Sequence, residues 1–115
     1  MKYKYGDFTK SQIRETKEKM RRQIFFLLLI VDPTTSEDYE DVNIKDAFQN
    51  VLSTFGGLND LLGYPQELVT IMSQLNAAFI EYKSSNFHWK KYRKLVLDAG
   101  NTVLKIKEVE DNANP

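Results

Sequence analysis

Eight consecutive apolar residues, Ile24-Phe25-Phe26-Leu27-Leu28-Leu29-Ile30-Val31, close a segment whose first half is strongly charged. A helix that buries one face needs apolar residues only at three- and four-residue spacing. On a helical wheel Ile13, Met20, Ile24, Leu27 and Val31 form one such stripe, while Phe25, Phe26, Leu29 and Ile30 point largely away from it. The end of this helix must therefore be covered on more than one side, by other helices of the chain or by another subunit. The run does not read as a membrane span. Eight residues reach about 12 Å, against a hydrocarbon core of about 30 Å. Nor does it read as a signal peptide, because it ends in Asp32-Pro33 and a long charged helix precedes it.

The rest of the chain spells out further helices. Thr9 followed by Gln12 is a capping-box pair, with Phe8 placed to staple against Ile13, so a helix is expected over 9–31. Pro33 to Asp41 is polar and acidic, which makes 32–42 a loop. Asn43 or Asp41 caps a second helix over 43–55, with Ile44, Phe48, Val51, Leu52 and Phe55 inside and Gly56-Gly57 as its stop. A separate short helical turn is expected at 58–62, ended by Gly63. Pro65 suits the first position of a third helix over 65–83, with Leu68, Met72, Leu75, Phe79 and Tyr82 buried. Ser84-Ser85-Asn86 makes a turn before a fourth helix over 87–109, lined by Tyr92, Leu95, Val96, Ala99, Val103 and Ile106. No stretch alternates with a period of two. The expectation is one all-α domain over 1–115, a bundle of about four helices with short connections, and flexible ends at 1–8 and 111–115.

Composition narrows the chemistry. With 115 residues there is room for one modest core. There is no cysteine, which removes disulfides, thiolate metal sites and cysteine catalysis together and fits a reducing cytoplasm. The Lys-, Asn-, Ile- and aromatic-rich usage suggests a low-GC bacterial or phage chain. Net charge is zero but segregated: residues 1–31 carry eight Lys/Arg against three acids, 32–67 one against eight, and 68–115 seven against five. Such asymmetry steers partners or holds basic and acidic segments together.

Catalytic signatures are absent. The single histidine, His88, is followed by Trp89, Lys90 and Lys91, so its sequence neighbours repel a cation and supply no orienting carboxylate. Only a polar pocket gathering His88, Glu81 or Asp98 with tyrosines would point to an enzyme. The acidic loop lacks the glycine of a calcium-binding loop, and the glycines match no phosphate-binding pattern. No cofactor or metal is expected.

Two kinds of surface remain. Lys10, Arg14, Lys17 and Arg21 follow one edge of the first helix, and Lys90, Lys91, Lys94 and Lys105 lie on the outer side of the fourth. These are the candidate contacts to phosphates or to an acidic partner. The second is apolar. Leu97, Gly100 and Leu104 lie together away from the Ala99/Val103 stripe, with Trp89 and Arg93 upstream on nearly the same line. An interior glycine costs a helix about 1 kcal/mol relative to alanine, which points to close backbone approach. With Phe25, Phe26 and Leu29 these make two surplus apolar surfaces: facing each other they are covered within one chain, and left exposed they are the candidate protein interface. The sequence therefore leads to a non-enzymatic, cytoplasmic interaction protein that binds a protein partner or itself as a homodimer. A nucleic-acid-associated protein is the alternative.

Overall fold

The computed structural model describes residues 9–107 and, ahead of them, the backbone of Lys2–Tyr3 and Gly6–Asp7. Those two pairs form a minimal antiparallel ladder, Lys2 with Asp7 and Tyr3 with Gly6. The rest of the regular structure is helical: α1 (Lys10–Leu29), a single 3-10 turn (Ser36–Tyr39), α2 (Ile44–Leu61), α3 (Gln66–Lys83) and α4 (Trp89–Val103). The expected all-α bundle of four helices is what forms. Among the described residues no helix is long and apolar enough to cross a membrane. The expected flexible ends at 1–8 and 111–115 lie, the ladder apart, outside the described residues, as does the Phe8 staple.

The helix starts follow local chemistry. Thr9 Oγ1 accepts from the Gln12 N–H at 3.1 Å, and Gln12 Oε1 accepts from the Thr9 N–H at 2.8 Å, a complete capping box. Asn43 caps α2 by accepting from the Asp46 N–H at 3.0 Å. Pro65 stands one position ahead of α3, where its carbonyl accepts from Leu68 and Val69, rather than within the first turn.

Side-chain contacts set the order of the helices. Phe48 and Phe79 pack at 4.9 Å between α2 and α3, and Thr102 donates to Gln74 at 2.9 Å between α4 and α3. Phe25 lies against Gly100, and the Tyr92 hydroxyl donates to the Leu27 carbonyl at 2.6 Å, joining α1 to α4. The sequence is thus α2, α3, α4, α1 around the core, each pair antiparallel. α1 and α2 meet less closely and leave a shallow groove of about 230 Å³ lined by Thr16, Lys19, Met20, Gln23, Thr54 and Leu58. The core is built from Ile13, Met20, Ile24 and Leu27, with Phe48, Val51 and Phe55, Leu68, Ile71, Leu75 and Ala78, and Tyr92, Val96, Ala99 and Val103. Two expected stripes shift. Ile30 is buried and Val31 half-buried, because α1 ends at Leu29 and the wheel no longer applies beyond it. In α3, Ile71 and Ala78 lie deepest while Met72, Phe79 and Tyr82 are half-buried, because the helix is flanked by both α2 and α4.

Where α1 and α4 end, each supplies what the other lacks. The last carbonyls of a helix have no partner of their own. The Leu27 carbonyl receives the buried Tyr92 hydroxyl, whose phenol is held above its usual range by burial and by Tyr82 beside it. At the other end Lys17, itself buried, donates from Nζ to the Ile106 carbonyl at 2.7 Å and the Leu104 carbonyl at 3.4 Å. α4 was expected over 87–109. It begins at Trp89, because His88 is its cap residue, and stops at Val103. Leu104, Lys105 and Ile106 then bond three residues back, and Lys17 takes the freed carbonyls. Residues 108 and 109 lie outside the described residues.

The largest departure from expectation is at Gly56-Gly57, which does not stop α2. Gly56 packs toward α3, where a Cβ would lie 3.7 Å from the Met72 methyl, and Gly57 faces open space. Burial of Phe55, and of Leu62 beyond, carries the helix through, so 58–61 is its continuation and not a separate turn. The stop is Gly63, at φ 80°. Its N–H donates to Asp60 O and the Tyr64 N–H to Asn59 O, the paired bonds of a Schellman ending. Tyr64 follows with φ 62°, a left-handed residue without glycine's freedom.

The α2 glycines and the α1–α4 anchors can each be tested by substitution. Gly57→Ala should stabilise the protein by up to about 1 kcal/mol and Gly63→Ala should destabilise it by a similar amount, read as opposite shifts of the urea midpoint. Tyr92→Phe leaves the Leu27 carbonyl buried without its donor and should cost about 1–3 kcal/mol at unchanged denaturant slope. Lys17→Met should act likewise at the other end of the seam.

Candidate interaction surface

The seam between α1 and α4 gathers most of the apolar candidates. A Cβ on Gly100 would come within 2.9 Å of the Phe25 ring, so the glycine leaves the space that this ring fills. The Arg21 guanidinium lies over the outer side of the same ring, 5.1 Å from its centre. Because the helices are antiparallel, Leu29 falls one turn from Phe25 on the side of Leu97, and Leu104 one turn from Gly100 on the side of Arg21. Leu29 is 38% exposed, Leu104 is 55% exposed and Leu97 is half-buried. At the far end Arg93 is exposed, and its charge reaches the Asp32 carboxylate. That carboxyl is held below its usual range first by the Thr34 N–H at 2.8 Å, then by the Thr34 hydroxyl, with Arg93 adding to both.

The other two apolar candidates lie elsewhere. Phe26 packs edge-on against Tyr39 of the 3-10 turn at 5.6 Å, and Trp89 stacks on Tyr92 at 5.8 Å. Both are half-buried against the core. The seam thus brings together Phe25, Leu29, Arg93, Leu97, Gly100 and Leu104, and leaves Phe26 and Trp89 with internal tasks.

The basic edge of α1 is divided. Lys17 turns inward to the end of α4 and Arg21 lies on Phe25, while Arg14 is exposed and Lys10 half-buried. On α4 and the turn that follows it, Lys90, Lys91, Lys94 and Lys105 are all exposed. Lys91 pairs with Glu81 at 3.3 Å and Lys94 with Asp98 at 2.7 Å, so two of the four already face carboxylates.

A cleft of about 470 Å³ at the α3–α4 turn is lined by Glu81, Ser84, Asn86, His88, Lys90 and Lys91. His88 Nδ1 donates to the Asn86 carbonyl at 2.8 Å. Glu81 is buried and accepts from the His88 N–H at 2.8 Å, which ties the turn to the start of α4. His88 and Glu81 do share a pocket, but its remaining lining is lysine, serine and asparagine. Asp98 lies apart, with Lys94. Among the described residues no group of three or more His, Asp or Glu is placed to hold a metal ion.

Sequence reasoning placed Lys17 on a basic edge and Glu81 in a possible pocket, and missed the backbone groups to which each bonds. Lys17 has a signal: it occupies the missing step between Ile13 and Met20 in the four-and-three rhythm of the buried stripe. Glu81 has none, because its partner is a backbone N–H seven residues away.

Comparison with known proteins gives no further lead: no family model, no curated protein and no solved structure matches the chain.

The His88 N–H holds the Glu81 carboxyl below its usual range, with Lys91 adding to it against the opposing effect of burial. A carboxyl with a depressed folded-state pKa contributes stability that is complete above the ordinary glutamate range, about 4.3, and is lost as pH falls through the lower folded value. Glu81→Gln should therefore lower the melting temperature at neutral pH and flatten its decline in acid. The residual acid slope should come in part from Asp32, and thermal melts from neutral to acid pH measure both.

Proposed function

We propose that the chain is a non-enzymatic, cytoplasmic interaction protein that engages a protein partner through the α1–α4 seam. The observation that supports this reading is the exposure of Leu29 and Leu104 on either side of the closed Gly100–Phe25 contact. An interior helix position gives up its side chain so that an aromatic ring closes the seam, and Leu29, Leu97 and Leu104 are left around it with Arg21 and Arg93 at the borders. An apolar centre with arginine at its rim is the composition of a protein-binding patch. The partner surface that fits it has apolar residues flanked by carboxylates.

Phosphate binding through the basic residues has less support. Lys17 is used internally, and Lys91 and Lys94 are paired with acids. It would require the exposed Lys90 and Lys105 to carry most of the charge that phosphates demand. Retention on DNA or RNA at low salt, lost steeply as salt rises, would favour it over the seam.

Replacing Leu97 and Leu104 together by Glu should abolish capture of a partner that the unchanged chain retains, with helicity unchanged by circular dichroism. A variant that keeps the partner removes the seam from consideration. One that unfolds assigns both leucines to the core and removes it equally.

A further inference from the structure

Among the described residues the outer face of α3 combines exposed branched aliphatic residues with a single charge. Its exposed positions are Gln66, Val69, Ser73, Asn76, Ile80 and Lys83, spaced alternately by three and four residues. Val69 is 42% exposed and Ile80 is 58% exposed. Of the six only Lys83, at the end, is charged. The two acids of α3 are turned elsewhere, Glu81 buried and Glu67 half-buried. By contrast the exposed face of α4 carries Lys90, Lys91, Arg93 and Lys94 within two turns. A solvated helix normally keeps charge on its outer side. This one presents branched aliphatic residues at its ends and short polar ones at its middle.

The six positions are also symmetric. Val69 and Ile80 lie at equal distances from a point midway between Gln74 and Leu75, and so do Ser73 and Asn76, and Gln66 and Lys83. The alternating three- and four-residue spacing is that of the a and d positions of a coiled-coil seam, and in antiparallel pairs a positions meet d positions of the other helix. Two copies of α3 laid antiparallel about that point match Val69 with Ile80 at both ends and Ser73 with Asn76 on either side of the axis. The small central residues permit close approach, and the hydroxyl and amide can bond across it. The match is reciprocal, as a two-fold interface requires.

Charge on the neighbouring helix agrees with this register. Thr102 bonds to Gln74 and Lys91 pairs with Glu81, so α4 runs antiparallel beside α3 with Asp98 near its middle and Lys105 towards its start. The same two-fold sets Lys105 of one copy level along the axis with Asp98 of the other, which within its own chain pairs with Lys94. The chain's net charge of zero sets no overall repulsion against pairing.

We propose that the chain forms an antiparallel homodimer through α3, with Val69 seated against Ile80 of the second copy and Ser73 against Asn76. This rests on the reading of the chain as an interaction protein, but uses a face distinct from the α1–α4 seam.

Light scattering across protein concentration should show a species of twice the chain's 13.4 kDa. Ile80→Glu should return the mass to one chain with helicity unchanged, and Val69→Lys should do the same from the other end of the stripe. The chain has no cysteine, so register can be read by cross-linking under oxidation. A mixture of Val69→Cys and Ile80→Cys chains should form a disulfide-linked pair, whereas either alone should not. Identical positions would be about 16 Å apart along the axis, beyond the roughly 7 Å Cα separation a disulfide spans. A monomer at every concentration, a dimer that survives Ile80→Glu, or linkage by Val69→Cys alone would each overturn the proposal. The Leu97→Glu, Leu104→Glu protein keeps the two failures apart. It should remain dimeric while losing its partner, and loss of the dimer in that protein would move self-association to the seam and overturn the α3 pairing.

Discussion

The two hydrogen-bonded anchors between α1 and α4 are what the rest of the structure depends on. Antiparallel helices bring the end of one alongside the body of the other, and each end exposes carbonyls that its own helix cannot satisfy. Here Tyr92, early in α4, reaches the Leu27 carbonyl, and Lys17, in the first half of α1, reaches the carbonyls of Leu104 and Ile106. Lys17 and Leu27 are ten residues apart, about 15 Å of helix, so the seam is pinned at both ends. Sliding one helix by a turn would break both anchors at once and leave buried carbonyls unpaired, at about 1–3 kcal/mol each. That fixed register is what sets Gly100 opposite Phe25.

Apolar contact alone would not have fixed it. Ile13, Met20, Ile24 and Leu27 would bury comparably against the Val96/Ala99/Val103 stripe in more than one register, because aliphatic contacts are non-directional. The directional partners are the polar ones, a phenol and an ammonium placed inside otherwise apolar faces. The α3–α4 turn uses the same device on a smaller scale: the Glu81 carboxylate accepts from the His88 N–H and sets where α4 begins. The 3-10 turn is held to the end of α1 by Thr35, whose hydroxyl donates to the Leu29 carbonyl at 2.8 Å, and by Phe26 against Tyr39.

What could be read from the sequence divides along the same line. The start of α1 was legible because a capping box is local: Thr9 and Gln12 are enough to specify it. The four-helix count and most of the core followed from periodicity. Gly56-Gly57 misled because a glycine pair weakens a helix by intrinsic propensity, and the packing of Phe55 and Leu62 outweighs that within the fold. Gly63 stops α2 because there the chain turns left-handed, and its N–H and that of Tyr64 bond back to Asp60 and Asn59. In the candidate surface, Gly100 pointed to a close approach, and the structure supplies Phe25 as the group that approaches. Phe26 was separated from that surface by a contact with Tyr39 that no spacing along the chain encodes, whereas Trp89 lies on Tyr92, three residues further along the same helix. Lys17 looked like part of a basic edge because sequence shows charge and not destination.

The segregated charge has a partly internal use. Asp32, at the start of the acidic segment, lies within reach of Arg93 on α4, and Lys91 and Lys94 on the same helix are paired with Glu81 and Asp98. α4 is thus the basic helix that acidic groups from the α1 end, from α3 and from its own surface converge on. α3 contributes its one buried carboxylate inward and keeps charge off most of its outer face. The α1–α4 seam and the α3 face lie on different flanks of α4, so covering one does not cover the other. The two-fold proposed through α3 would leave a seam open on each copy. Two seams held at fixed separation would bind a repeated target with an effective concentration set by their spacing, so a rigid dimer would strengthen a weak single contact without altering it.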